Sequence, residues 1–213
     1  MYIRKMSHQS VVTMYDDTRP LQDMIKFKLM VNSKKPHKDS KGFYTDKTKQ
    51  FKGIEPNKDF NVGIIGGEVN DMIVVDLDTN KWDMDNHPWT LAFGKDPRVF
   101  NTYTARSCRG GFHLYFKYDK DFLRSRSAHE IDIISNGRYI VGPHSHISDI
   151  EKGIIHKDYT VYHDTSIKEM PEAIKQFLLE HIYTSTSKKM KKPESLRSSF
   201  KRNTLKKKRC FMT

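Results

Sequence analysis

Cysteine is scarce in this chain of 213 residues, which has only Cys108 and Cys210. Two cysteines are too few for a disulfide framework or for a zinc site built on cysteine ligands. We therefore expect a reducing, intracellular environment and no bound zinc.

Long apolar runs are also missing. No stretch approaches the roughly 18 residues that a membrane span needs, and the N-terminal sequence MYIRKMSHQS lacks the apolar core of a secretory signal. The sequence predicts a soluble protein of the cytoplasm or nucleus, with no membrane partner.

Acidic residues are outnumbered, with 26 Asp and Glu against 38 Lys and Arg, which gives a net charge of +12. Residues 184–213 contain eleven of the basic residues and a single acid, so this segment alone carries +10. We predict a catalytic domain over residues 1–183 and a basic disordered tail or linker over 184–213. Such a tail has two possible roles: an arm on nucleic-acid phosphates, or a linker to a further region.

Strand patterns dominate the remaining sequence. Alternation predicts a half-buried strand over residues 25–31, and NVGII and MIVVDL around Gly66 and Gly67 predict a hairpin over residues 61–77. Further strands are predicted at 99–105, 112–118, 130–134, 138–142 and 159–163. Helices are predicted at 85–93, with an Asp or Asn cap, and at 170–183. The fold class is therefore mixed α/β, of the α+β type.

The segment MIVVDLD, residues 72–78, ends an apolar strand with two acids. Alternation along a strand directs Asp76 and Asp78 to one face and Leu77 to the other. Two like charges held close together repel unless a cation or a proton lies between them, and carboxylate oxygens suit Mg²⁺ or Mn²⁺. An alternative is a pair of exposed acids at a strand end.

Two later segments add polar residues to apolar strands. GGFHLYF places His113 directly after two glycines, and IDIISNGRYIVGPHS contains Asp132 between two isoleucines. An acid in such a strand is costly to bury unless it is paired or coordinated. We expect Asp76, Asp78, His113 and Asp132 to meet in one pocket.

These segments, in this order and with NVGIIGG before and YTVY after them, resemble the primase-polymerase domains of the archaeo-eukaryotic primase superfamily. The likeness is to the bifunctional primase/polymerase N-terminal type of viruses and plasmids, and it covers about residues 30–165. Its three motifs match Asp76-Leu77-Asp78, Gly111-Phe112-His113 and Ile131-Asp132. The second motif commonly has Ser where this chain has Gly111, and the cysteine and histidine zinc module of some relatives is missing.

The resemblance implies a template-directed nucleotidyltransferase, a DNA primase/DNA polymerase of a viral or plasmid-like replicon. Asp76, Asp78 and Asp132 would hold two divalent ions, Mg²⁺ or Mn²⁺, and His113 would contact the incoming nucleotide. The implied partners are a single-stranded DNA template, a primer strand, NTP or dNTP and a possible helicase. The implied fold packs a small N-terminal α/β part on an antiparallel sheet like an RNA-recognition motif, with the acids on the exposed face between them.

Weaker candidates surround the motifs. Nucleotide-binding roles are predicted for residues in turns and strand ends near them, namely Lys35, Gly110, Gly111, Arg138, Ser145 and His146. Each has a plain structural alternative, such as a tight hairpin turn for the glycines or a surface loop for Lys35 beside Pro36.

Two other functions compete with polymerisation. His144 and His146 have the His-x-His spacing of replication-initiator or relaxase-type nucleases, although Ser145 between them and the lack of a well-placed tyrosine are unfavourable. The other possibility is a non-catalytic sheet that binds single strands by stacking on aromatics, for which the candidates are Tyr103, Tyr115, Phe116 and Tyr139.

Overall fold

The structure is a computed structural model that describes residues 20–149 and 154–183. Within these ranges it has eleven strands and two helices. The strands are β1 (Lys26–Leu29), β2 (Asn61–Ile65), β3 (Met72–Leu77), β4 (Thr104–Arg106), β5 (Phe112–Lys117), β6 (Arg126–Ala128), β7 (Ile131–Ile134), β8 (Tyr139–Val141), β9 (His146–Asp149), β10 (Ile154–Asp158) and β11 (Thr160–His163). The helices are α1 (Pro88–Phe93) and α2 (Glu172–Leu178), and α2 continues into a π-helical turn over Leu179–Tyr183.

The largest sheet is antiparallel and has six strands in the order β11-β4-β5-β3-β7-β6. Its centre is β3, a strand of Met, Ile and Val whose first four residues are fully buried. Both edges of β3 are paired, with β5 on one side and β7 on the other. The strand of the first motif is therefore fixed on both sides by the strands of the other two.

A second sheet has the order β1-β2-β8, and β9 pairs with β10 in a two-stranded ribbon. The predicted hairpin over residues 61–77 is wrong, although both of its strands exist. β2 uses its two edges for β1 and β8, and a 3₁₀ turn over Glu68–Asn70 carries the chain to the other sheet. At the predicted turn, an isolated bridge joins Gly67 to Met72. Sequence alternation identifies strands, but it does not specify their partners.

The six-stranded sheet is covered on both faces. One face packs on α1 and α2 through Ile73, Val75, Leu77 and their neighbours in an apolar layer that includes Trp89, Ile174 and Leu178. The opposite face, with Met72, Val74 and Tyr115, packs on Val62, Ile64 and Ile140 of the three-stranded sheet. The α+β class is confirmed, whereas the likeness to an RNA-recognition motif stays a prediction.

The two predicted helices are confirmed, with different ends. The cap of α1 is His87, whose Nδ1 accepts a hydrogen bond from the backbone N–H of Trp89, rather than an Asp or Asn. Pro88 occupies the first helical turn, where its missing N–H costs nothing. Asp and Asn are preferred as N-cap residues because their side-chain oxygen accepts a hydrogen bond from a backbone N–H of the first turn, and here the imidazole nitrogen of His87 accepts that bond instead.

None of the helices in the described ranges has both the length and the hydropathy to cross a bilayer. The predicted tail over residues 184–213 lies outside the described residues, and so does the N-terminal end of the predicted catalytic domain.

Candidate active site

Strand register brings three predicted site residues into one row. Asp76 of β3 lies directly opposite His113 of β5 and, on its other side, directly opposite Asp132 of β7. Residues opposite each other in antiparallel strands point to the same face. His113 Nε2 is 3.5 Å from Asp76 Oδ1. Three residues far apart in the chain thus lie side by side because β3 is the central strand.

The row lines a cavity of about 260 Å³ between β8 and the six-stranded sheet. The cavity contains Asp76, His113 and Asp132, and its cationic wall is formed by Lys34 and Arg138. Tyr139 and Tyr159 form part of the remaining wall. The cavity therefore contains two carboxyl groups and two cationic side chains, which suits a ligand with both negative charge and bound cations.

The carboxyl group of Asp76 has a strongly shifted pKa. The pKa of its carboxyl is raised to about 7, first by burial and then by the neighbouring charges of Asp78 and Asp132, against the opposing charges of Lys34 and Lys81. Its side chain is still 21% exposed, so it is open to the cavity. A carboxyl with two carboxylate neighbours is a group that a cation would stabilise in its charged form.

Asp78 lies just beyond the end of β3 and is engaged by another partner. Its carboxylate forms an ion pair with Lys81, three residues further on. Because Asp78 raises the pKa of Asp76 through its charge, the two groups are electrostatically coupled, but Asp78 is not part of the cavity lining. The predicted meeting of four residues in one pocket is therefore realised for Asp76, His113 and Asp132.

His113 is buried and neutral. Burial lowers the pKa of its imidazole to about 3, and the charge of Lys34 acts in the same direction. Its Nδ1 is buried and has no hydrogen-bond partner among the described residues, while its ring lies 5.4 Å from that of Tyr159. A buried ring nitrogen without a partner is costly in a stable protein and is common where a ligand binds.

The described residues contain no group of three or more His, Cys, Asp or Glu side chains arranged to hold a metal ion. The donor chemistry of the site nevertheless fits Mg²⁺ or Mn²⁺, since Asp76 and Asp132 present carboxylate oxygens to one cavity. Burial, and then the charges of Asp78 and Asp132, raise the pKa of Asp76, and a bound cation would favour its ionised form. Asp78 lies outside this cavity and pairs with Lys81 through Oδ2.

The two glycines of GGFH build the turn between β4 and β5. Gly110 adopts φ +94°, and its carbonyl accepts a hydrogen bond from Thr79 Oγ1 at 3.2 Å. A Cβ at Gly111 would overlap the carbonyl oxygen of Leu77, so this glycine lets the turn pack against the end of β3. Neither glycine lines the cavity of Asp76. The close approach to Leu77 explains the glycine at position 111.

Of the predicted basic residues, Arg138 lines the cavity and Lys35 does not. The cavity contains Lys34 instead, in the loop after β1. The hydroxyl of Tyr139 donates a hydrogen bond to the backbone oxygen of Lys34 at 3.0 Å, which ties this loop to β8. The sequence therefore predicted a lysine at this loop but named Lys35, whereas the conformation of the loop places Lys34 in the cavity.

Ser145 and His146 have structural partners. Ser145 is fully buried, and its Oγ accepts a hydrogen bond from the backbone N–H of Val62 at 3.2 Å. His146 Nδ1 lies 2.6 Å from Asp158 Oδ1. His144 instead lines a separate cavity of about 350 Å³, near Tyr103. The His-x-His pair is thus divided between different surroundings, which argues against a nuclease site of that kind.

The aromatic residues that could stack bases belong mostly to the core. Tyr103, Tyr115 and Phe116 are 5% exposed or less, and Tyr139 is half-buried. A stacking platform requires an exposed ring face, so the binding-module alternative loses three of its four candidates.

Comparison with known proteins agrees with this site. No curated protein matches the chain. The family model of the bifunctional DNA primase/polymerase N-terminal domain matches residues 20–173, which include the whole row of Asp76, His113 and Asp132. Since this match extends over most of its length, the chain belongs to the bifunctional DNA primase/polymerase N-terminal family.

Proposed function

We propose that this chain is a template-directed nucleotidyltransferase that joins nucleoside triphosphates on a DNA template, with Asp76, Asp78 and Asp132 as metal ligands and His113 as a contact of the incoming nucleotide. Family membership supports DNA primase/polymerase activity in general. The observation that carries the residue assignment is the row His113–Asp76–Asp132 across three strands, opening into one cavity.

The cavity suits a triphosphate held beside the acids. Lys34 and Arg138 would pair with its phosphates, and Arg can do so through two parallel hydrogen bonds. His113, neutral at pH 7 because of its lowered pKa, offers a ring N–H without adding charge. A bound nucleotide would then give the buried ring of His113 the hydrogen-bond partner that its Nδ1 lacks among the described residues.

Divalent ions would be held by Asp76 and Asp132, with Asp78 joining them by exchange of its Lys81 partner. Mg²⁺ or Mn²⁺ at these carboxylates would supply the positive charge that favours ionisation of a 3′-hydroxyl and stabilises the transferring phosphoryl group. The protein's own contribution is to fix the two acids by strand pairing, so their geometry does not have to be assembled when substrate binds.

We further propose that the activity serves a viral or plasmid-like replicon, that a helicase is its partner, and that the basic segment 184–213 assists contact with nucleic acid. The charge of that segment supports the last point. The other two come from the resemblance of the motifs to the viral and plasmid type.

The test is incorporation of labelled nucleotides by the full chain on a single-stranded template, with and without a primer and with Mg²⁺ or Mn²⁺. Asp76→Asn and Asp132→Asn should each reduce incorporation by about 10³-fold or more, since each removes several kcal/mol of charge stabilisation.

The matched control is Asp71→Asn, at the opposite end of β3. Asp71 is exposed and has φ +48°, a conformation that Asn adopts readily, so the fold and the activity should be unchanged. Normal incorporation by a folded Asp76→Asn variant would refute the proposal. Covalent attachment of the protein to a cleaved strand would favour the nuclease instead.

A further inference from the structure

A second groove lies beside the acid cavity and shares no lining residue with it. Its volume is about 370 Å³, and it runs between the β4–β5 turn and the junction of β10 with β11. Tyr159 separates the two, since its ring lines the acid cavity while its neighbours Asp158 and Thr160 line the groove. Tyr159 and Cys108 of the β4–β5 turn belong to the same buried apolar cluster, which ties this wall to the turn.

The groove is strongly basic. Arg106, Arg109 and Lys157 line it, against the single acid Asp158. The carboxylate of Asp158 already lies 2.6 Å from His146 Nδ1. Arg106 and Lys157 are exposed, so their charges are available to a ligand in solvent. The surface thus offers two to three positive charges that no carboxylate of the groove neutralises.

The turn that carries Arg109 is rigid and joined to the active site. Backbone hydrogen bonds from Ser107 to the carbonyl of Gly111 and from Gly110 to the carbonyl of Ser107 close it. The carbonyl of Gly110, which follows Arg109, accepts a hydrogen bond from Oγ1 of Thr79, which follows Asp78. Arg109 is therefore held in a turn that is joined to the chain next to Asp78.

We infer that this groove binds the phosphates of a single-stranded nucleic acid, as the path by which a template or primer strand reaches the acids. The inference rests on the proposed function. Because β11 is an edge strand of the six-stranded sheet, the groove is open along the sheet edge, as a polymer requires. The triphosphate already has its cations, Lys34 and Arg138, inside the acid cavity.

Equilibrium binding of the full chain to a short fluorescent single-stranded oligonucleotide tests this inference. The assay uses fluorescence anisotropy over a salt series, in EDTA and without nucleotide, so that catalysis plays no part. Exchange of Arg106, Arg109 and Lys157 for Gln should weaken binding about tenfold or more. It should also reduce the slope of log affinity against log salt by about 2, since each phosphate contact on a single strand contributes about 0.7.

The matched control is the triple exchange of Lys117, Lys120 and Lys168 for Gln. These three exposed lysines lie near the end of β5 opposite to His113, and their exchange removes the same charge. The control should keep the wild-type affinity and slope, and segment 184–213 is present in both proteins. An equal loss in both triples, or no loss in the groove triple, would overturn the inference.

Two further measurements separate this groove from other sites. The affinity for a fluorescent nucleoside triphosphate should change by no more than about twofold in the variant with Arg106, Arg109 and Lys157 exchanged for Gln. Loss of triphosphate binding without loss of oligonucleotide binding would contradict the inference. Poly-glutamate should compete poorly, and equal competition would assign the groove to acidic protein. The single exchange Lys157→Glu repeats the test should the triple variant not fold, because the side chain of Lys157 is exposed and its pairing with Ile147 is made by the backbone.

The two proposals fail separately. If the groove triple binds the oligonucleotide normally while Asp76→Asn abolishes incorporation, the polymerase assignment stands and the groove assignment does not. If the groove triple loses strand binding and the wild-type chain never incorporates nucleotides, the groove is a strand-binding surface of a protein with another activity.

Discussion

The two faces of the six-stranded sheet are made by the same strands but have different compositions. On the helix-covered face, β3 contributes Ile73, Val75 and Leu77, all 1% exposed or less. On the opposite face, it contributes Val74 and then Asp76, whose neighbours across the sheet are His113 and Asp132. Neighbouring residues of β3 therefore face an apolar core and a charged cavity in turn.

This difference assigns separate tasks to the two faces. The helix-covered face buries aliphatic and aromatic side chains, and their burial supplies stability. The other face is apolar only until β3 reaches Asp76, where it presents groups that are unfavourable to folding but suited to chemistry. The two faces should therefore respond oppositely to the same kind of substitution.

The largest effect should come from moving a carboxylate to the wrong face. Val75→Asp places an acid among Leu114, Phe116 and the helices, without a partner or a cavity. We expect a loss of roughly 4 kcal/mol or more in the free energy of unfolding, measured by urea denaturation, because an unpaired buried charge is not compensated. A stable Val75→Asp variant would show that the helix-covered face is not the rigid core described here.

His113→Leu should separate stability from activity. The free energy of unfolding should stay equal or rise, since the exchange removes a buried nitrogen that has no partner among the described residues. Nucleotide incorporation should fall by about 10- to 100-fold, the value of one hydrogen bond to a charged phosphate. A variant that is less stable but fully active would make His113 a core residue rather than a nucleotide contact.

Much of this arrangement could be predicted from the sequence because strand alternation is local. The alternation over MIVVDLD placed Asp76 on one face, and the apolar flanks of Asp132 indicated an acid in a buried strand. The pairing of β3 with β5 and β7 was not predictable from pattern alone; the order of motifs in the resembling family suggested that their residues meet. The hairpin prediction failed because sequence proximity does not decide which edge a strand uses.

Loop residues were the least predictable part of the site. Lys34 and Lys35 are chemically identical neighbours, and partners distant in the sequence hold their loop, as the hydrogen bond from Tyr139 to the Lys34 carbonyl shows. Ser145 had a plausible turn pattern, yet it serves the backbone of Val62 across 83 residues of sequence. Such long-range partners leave no local trace in the chain.

Asp76→Asn should give a smaller, pH-dependent gain in stability of the metal-free protein. The folded-state pKa of about 7 lies above the value of 3.8 expected in the unfolded chain, so the folded state holds a proton that the unfolded state releases between these values. The wild type should therefore lose stability as the pH rises from about 4 to 7.

The rise in pKa sets an upper limit of about 4 kcal/mol on this loss, and partial exposure of the carboxyl reduces the expected value to roughly 1–2 kcal/mol. Asn stays neutral, so the difference between variant and wild type should be near zero at pH 4 and greatest above pH 7. Urea denaturation at several pH values in EDTA measures it. A constant difference across this range would contradict the raised pKa.

Tyr139→Phe should give the smallest effect, and it tests how the face with the cavity holds the cation Lys34. The ring of Tyr139 packs edge-on against Phe27 at 4.9 Å, a contact that Phe preserves, while its hydroxyl holds the Lys34 carbonyl. Loss of this partly exposed hydrogen bond costs about 0.5–1 kcal/mol. Because the bond positions a cation of the cavity and not the acids, KM for the nucleoside triphosphate should rise a few-fold with little change in kcat. A fall in kcat at constant KM would place Tyr139 near the reacting atoms, and the effects of Tyr139→Phe and Lys34→Gln should then add in the double variant. If Tyr139 acts by positioning Lys34, the double variant should have the kinetics of Lys34→Gln alone.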